Sequence, residues 1–122
     1  MKTTLDLPTI DLTQRDLNVV TQILTHDVPE YTVWAFGSRV SGTAKPYSDL
    51  DLVILADKPL SIERMATIKD DFAESDLPIR VDIVDWASAS AAFREIIRQN
   101  YVVIRQGAAV KLSSNQRVNV RL

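Results

Sequence analysis

The chain has 122 residues, the size of one domain around one core, and its 46% hydrophobic and 25% charged residues are those of a globular protein rather than a coiled coil or a disordered chain. A net charge of −2 and a pI of about 5.3 lack the basic surplus by which proteins hold nucleic-acid phosphates, so no direct nucleic-acid partner is expected. With no cysteine and His26 as the single histidine, disulfide frameworks, thiolate metal sites and multi-histidine zinc sites are excluded.

The opening MKTTLDLPTIDLT has no apolar core of signal-peptide length, and no apolar run approaches the ~20 residues of a spanning helix. A cytoplasmic location without a membrane partner is expected. Residues 1–12, with Pro8, read as an extended arm. Thr13 is a helix N-cap residue with Asp16 in the acid-favoured first turn, and Leu17, Val20, Ile23 and Leu24 follow helical spacing until Pro29. His26 then sits at the C-terminal end of this helix, where it complements the dipole. YTVWAF (31–36) is rich in strand formers and halts at Gly37-Ser38. Leu50 and DLVILAD (51–57) make a near-continuous apolar strand, the pattern of one covered on both faces.

Lys58-Pro59 turns the chain, and Ser61 caps a second helix that runs to about Ser75, its apolar positions being Ile62, Met65, Ala66, Ile68 and Phe72. Leu77-Pro78 breaks it, and IRVDIVDW (79–86) is a third strand. A third helix opens at Ser88 or Ser90, its inner face built from Phe93, Ile96, Ile97 and Tyr101. VVI (102–104) is a short apolar piece that Gly107 ends. The tail, residues 108–122, has weak patterning and reads as a frayed end, an edge strand or a partner-binding arm. The order predicts a small α/β domain over 13–107, a mixed sheet of three to four strands flanked by helices.

Chemistry concentrates in FGSRVSGTAKPYSDLDL (36–52). Side chains alternate along a strand, so Asp49 and Asp51 share a face one pleat apart. Like charges at that spacing repel unless solvated or bridged by a cation, and a hard divalent ion such as Mg²⁺ is held by a few carboxylates together with substrate phosphates. Asp82, mid-run in the third strand, falls on the face opposite Val81 and Ile83. It either pairs with Arg80 or completes a three-carboxylate cluster able to hold two metal ions. Asp85, at the strand end, reads as a solvated or turn residue.

A glycine after a strand lets the backbone turn sharply and approach a ligand. If Ser38-Arg39-Val40-Ser41 begins a helical turn, its free N–H groups and the Ser38 hydroxyl face the same pocket. Arg39 reads either as a phosphate contact or as a surface residue, and Ser48 either caps the loop or orients Asp49. Lys45 is expected in solvent. Tyr47 lines a nucleotide pocket or covers the turn, and Trp34 and Trp86 are expected in the core.

Gly37-Ser38, ten residues, then Asp49-Leu50-Asp51 resembles the signature of the nucleotidyltransferase superfamily typified by DNA polymerase β and kanamycin nucleotidyltransferase. The shortness of the chain and the wording GSRVSG…SDLDL are most similar to its minimal nucleotidyltransferases, the MNT proteins. The resemblance implies a small α/β fold and a Gly37-Ser38 turn that holds the triphosphate of ATP. It implies Mg²⁺ on Asp49 and Asp51, with Asp82 as the third acid that activates the attacking hydroxyl. It also implies a HEPN-domain toxin as partner, to whose tyrosine some MNT antitoxins transfer AMP. Three other readings are open: an antitoxin that neutralises its partner by occlusion alone, a transferase acting on a small molecule, and a structural domain whose motif residues are coincidental.

Overall fold

The structure, a computed structural model, describes residues 9–108. The first eight residues of the expected arm and the tail from residue 109 lie outside the described residues. Ile10 and Leu12 pack against the main core.

The first helix, α1 (Gln14–Asp27), starts where expected: the Thr13 hydroxyl oxygen accepts the Asp16 N–H at 3.1 Å. Val20 and Leu24, four residues apart on one helix face, are fully buried. Strand β1 (Val33–Phe36) follows and ends at Gly37, which leads into the single-turn helix α2 (Ser38–Ser41). Then come β2 (Leu50–Ile54), α3 (Ile62–Ala73), β3 (Val81–Asp85), a short 3₁₀ turn (Trp86–Ser88), α4 (Ala91–Gln99) and β4 (Tyr101–Arg105). Ser61 caps α3 by accepting the Arg64 N–H at 3.1 Å, and Ser90, not Ser88, caps α4 by accepting the Phe93 N–H at 3.1 Å.

The strands form one mixed sheet in the order β3-β2-β1-β4. β1 runs antiparallel to both β2 and β4, and β2 is parallel to β3. The sheet is covered on both faces. Val33, Ala35, Leu50, Leu52, Ile54 and Ile83 point to one side, into the main core under α1 and α3. Phe36, Val53 and Val84 point to the other and pack with Trp34, Trp86, Phe93 and Ile97 of α4 and its approach. This double covering is what the near-continuous apolar run of β2 predicts.

Several elements differ from the expectation. The apolar piece 102–104 is the core of a full strand, β4, paired along β1. Tyr101 therefore leaves the expected helix face and stacks on Trp34, ring centroids 3.9 Å apart. Asn100 has extended dihedrals and ends α4, so the helix is too short to carry Tyr101. Ile96, expected inward, is exposed, as is the apolar Ile62 at the start of α3: a helix stripe one residue wider than its contact leaves its edge positions in water. Of the two readings of Asp85 the turn residue holds and the solvated one does not: it is buried, and its carboxylate accepts the Ser88 N–H at 2.7 Å, capping the 3₁₀ turn, and the Leu60 N–H at 3.3 Å. It fastens the two loops at that end of the sheet. Among the described residues no helix is long and apolar enough to cross a membrane.

Gly107 locks the chain after β4 onto the entry to β1. Its N–H donates to Thr32 Oγ1 at 2.9 Å, and a Cβ there would overlap the Glu30 carbonyl oxygen and the Tyr31 carbonyl carbon. Backbone cannot yield as a flexible side chain can. Gly107→Ala is expected to destabilise the fold by about 1–3 kcal/mol, read as a lower urea midpoint with an unchanged far-UV circular dichroism spectrum.

Candidate active site

Strand register assembles the candidate site. Phe36 of β1 pairs with Asp51 of β2, and Asp51 pairs with Asp82 of β3. Gly37, one residue past Phe36, and both acids therefore meet at one end of the sheet. Paired residues on neighbouring strands point to the same face, and Asp49 joins them two positions before Asp51. It is the face that α4 covers further along. Arg80 reaches Asp49, not Asp82: its Nη2 lies 3.9 Å from Asp49 Oδ2, with Arg80 largely and Asp49 partly in water, so the pair contributes little to stability.

Asp51 is the constrained member. Gly37 has φ 82° and ψ −157°, a conformation that side chains disfavour. A Cβ at Gly37 would overlap Asp51 Oδ2 and lie 3.1 Å from Asp51 Cγ. The carboxylate thus rests directly on the glycine backbone. Burial, and then the charges of Asp82 and Asp49, push the Asp51 carboxyl above its ordinary value. Negative charge is crowded here without a compensating cation among the described side chains beyond the distant Arg80.

The loop from residue 38 to 48 is held by Arg39, and here the structure departs from the expected phosphate contact. The Arg39 side chain is buried. Its Nε donates to the Ser48 carbonyl at 3.0 Å, Nη1 to the Asp11 carbonyl at 2.9 Å, and Nη2 to the carbonyls of Pro46 at 3.1 Å and Lys45 at 3.3 Å. The Asp11 N–H returns a bond to the Arg39 carbonyl at 2.7 Å. A guanidinium spent on four carbonyls shapes the loop and has no fork left for a phosphate. Ser48 likewise takes the loop-capping role, its Oγ accepting the Lys45 N–H at 2.8 Å. The sequence offered no sign of this arrangement, because the acceptors are main-chain carbonyls that any residue could supply.

Ser38 opens α2, whose Val40 and Ser41 N–H groups both bond to the Gly37 carbonyl at 3.0 Å. Tyr47, at 90% exposure, covers nothing. Trp34 and Trp86 do pack in the second core, their rings edge to face at 5.7 Å.

The family model described as polymerase beta, nucleotidyltransferase, matches residues 10–108. The chain belongs to this family. A probable protein adenylyltransferase, MntA, of Haemophilus influenzae is 55% identical over 97 residues, which span 80% of this chain and 85% of that protein. Among solved structures, a toxin–antitoxin with AMP-PNP matches at a TM-score of 0.65 and 26% identity, over 79% of this chain and 82% of the matched one. The MNT antitoxin in complex with a tri-AMPylated HEPN toxin of Shewanella oneidensis shares the fold at a TM-score of 0.61 and 24% identity, with 82% of each chain covered.

For a nucleotidyltransferase of this family a nucleotide substrate and a metal are implied. The donor set fits such a metal: Asp49, Asp51 and Asp82 offer only oxygen ligands, the preference of a hard divalent cation, and the charge crowded on Asp51 is what a cation would neutralise.

Two outcomes follow. A carboxyl whose folded value is raised above its unfolded one lends stability only at acid pH, and that contribution is lost as pH rises through the folded value. Asp51→Asn is therefore expected to raise the melting temperature of the metal-free protein by a few degrees at neutral pH. The gain should shrink as pH falls toward the ordinary carboxylate range, as followed by calorimetry. Arg39→Ala, which strips four carbonyls of their donor, should cost about 2–3 kcal/mol of stability in urea unfolding, and Arg39→Lys should recover little of it because an ammonium lacks the planar fork.

Proposed function

We propose that the chain transfers AMP from ATP to a tyrosine hydroxyl of a HEPN-domain toxin and thereby acts as its antitoxin. The observation that carries the reading is the convergence of Asp49, Asp51 and Asp82 against the Gly37-Ser38 turn at one end of the sheet. Support for the activity comes from the 55%-identical relative named as a protein adenylyltransferase, and support for the antitoxin role from the toxin–antitoxin structure with AMP-PNP. The choice of a HEPN toxin follows the likeness of the 37–51 motif to HEPN-paired MNT proteins.

In this reading the Gly37 and Ser38 backbone, with the Ser38 hydroxyl, cradles the triphosphate. Arg39 and Ser48 hold the loop that presents it. Asp49, Asp51 and Asp82 would hold Mg²⁺, two ions in this proposal, which stabilises the charge developing on the phosphates. Asp82, the exposed acid of the three, faces the acceptor and draws off the proton of its hydroxyl. The hydroxyl oxygen attacks the α-phosphorus in line, the bond from that phosphorus to the β-phosphate oxygen breaks, and pyrophosphate leaves. Positioning contributes alongside charge stabilisation, since the partner protein brings its own acceptor and a domain this small need not bind one.

The catalytic domain in this proposal is 13–107, flanked by the arm 1–12 and the tail 108–122. The reaction is assigned to the cytoplasm, where ATP is available.

Incubation with labelled ATP, Mg²⁺ and the HEPN partner, followed by intact mass of both proteins, tests the proposal. An AMP adduct on the partner is expected. Replacing Asp49 and Asp51 together by Asn, which removes charge at nearly constant volume, should lower transfer by at least about 100-fold with the fold intact. Transfer that survives the double replacement would sink the assignment. Neutralisation of the partner that survives without an adduct would favour occlusion.

A further inference from the structure

A second cluster of ligand-type side chains lies away from the sheet end, where α1 meets α3. His26 in the last turn of α1, Asp27 at its final position and Asp71 near the end of α3 each offer one ligand atom, and these atoms lie within 4.8 Å of one another. Among the described residues it is the one group of three this tight.

Asp27 makes the cluster more than a meeting of surface charges. Its side chain is only 3% exposed, while His26 beside it is 84% exposed. Asp27 Oδ1 sits 2.7 Å from His26 Nδ1, and Asp27 Oδ2 is buried with no donor among the described residues while Asp71 is ionised. A buried carboxylate oxygen without a donor is costly, and native structures seldom leave one so.

The surroundings are electronegative. The cavity beside the cluster, about 520 Å³, is lined by His26, Asp71, Glu74 and Asp76 and by no lysine or arginine. The partial negative charge at the C-terminus of α1 adds to this field. Asp71 is held above its ordinary carboxyl value, first by a hydrogen bond to Asp27, so the two acids compete for one space. A single shared proton would serve one oxygen pair and leave the imidazole outside. A cation would serve both carboxylates and the imidazole nitrogen together. One imidazole with two carboxylates and an open position is a donor set that Zn²⁺ takes readily.

We propose that His26, Asp27 and Asp71 form a Zn²⁺ site that ties the C-terminal end of α1 to α3, separate from the carboxylates of the sheet end. The site would act on stability, because its ligands come from two helices that share the main core.

The test uses the Asp49→Asn/Asp51→Asn protein, so that zinc held at the sheet end does not enter the reading. Equilibrium dialysis against Zn²⁺ should show one tightly bound equivalent, and the melting temperature should rise with added Zn²⁺. Adding His26→Gln or Asp71→Asn, both replacements of surface-accessible groups, should weaken binding by at least about tenfold and remove the thermal shift. Binding or a thermal shift that is the same in both variants would overturn the site, as would no bound zinc at all. A stability that responds to pH but not to Zn²⁺ would assign the cluster to a proton shared by the two acids, against the proposal. No arm of the experiment reads nucleotidyl transfer, so its failure leaves the proposed activity untouched and the reverse also holds.

Discussion

The contact between the Gly37 backbone and the Asp51 carboxylate organises the working end of the molecule. A carboxylate oxygen lies where a Cβ at position 37 would stand, and the positive φ of Gly37 would strain a side chain there even with Asp51 swung aside. Asp51 is partly buried, and burial raises its carboxyl before the neighbouring acids add their share. A fold that optimised stability alone would place a neutral residue there. The cost is carried by an apolar sheet covered on both faces, in which Leu50, Leu52, Val53 and Ile54 of the same strand are fully buried.

Arg39 supplies the second constraint. The loop between α2 and β2 has no helix or strand over residues 43–49 to hold it, and its part-buried carbonyls take a side-chain donor instead. One buried guanidinium gathers four of them, from Asp11, Lys45, Pro46 and Ser48. It thereby joins the segment before α1 to the loop that delivers Asp49. Its charge is offset by main-chain dipoles and not by a carboxylate, so it does not neutralise the acids a few residues away.

Layering explains why the acids are accessible at all. Both faces of the sheet are packed, but the second face is covered by α4, a helix of nine residues. A sheet end that it does not reach stays open, and the register puts Asp49, Asp51 and Asp82 there. The aromatic set Trp34, Trp86, Phe36, Phe93 and Tyr101 closes the rest of that face through stacked and edge-to-face pairs. Arg94 and Arg98 lie over the Trp86 ring, 5.2 Å and 5.0 Å from its centroid, and extend the packing outward.

Much of this was legible in the residues. Thr13, Ser61 and Ser90 are helix caps because a short side-chain oxygen can satisfy a free N–H two or three residues on, a local rule that needs no tertiary context. The period of the apolar positions separated helices from strands, and strand parity put Asp82 on the face opposite Val81 and Ile83. Local rules could not say which strands pair. That β4 is a strand at all depends on β1 offering it an edge, so three residues that read as a short apolar piece, with Tyr101 and Arg105 on either side, acquire their structure from a partner more than sixty positions away.

The fate of Asp85 and Arg39 was equally non-local, since each is buried by groups from distant segments: Leu60 N–H for one, the Asp11 carbonyl for the other. The cluster of His26, Asp27 and Asp71 exists only because α1 and α3 pack side by side. The sequence by itself determined three helices and three strands, two of the helix caps, the Gly-Ser turn and the acids' parity, because these follow from chain geometry within a few residues. Only the tertiary structure decided that the acids meet one another and the turn, because strand register is a property of the assembled sheet.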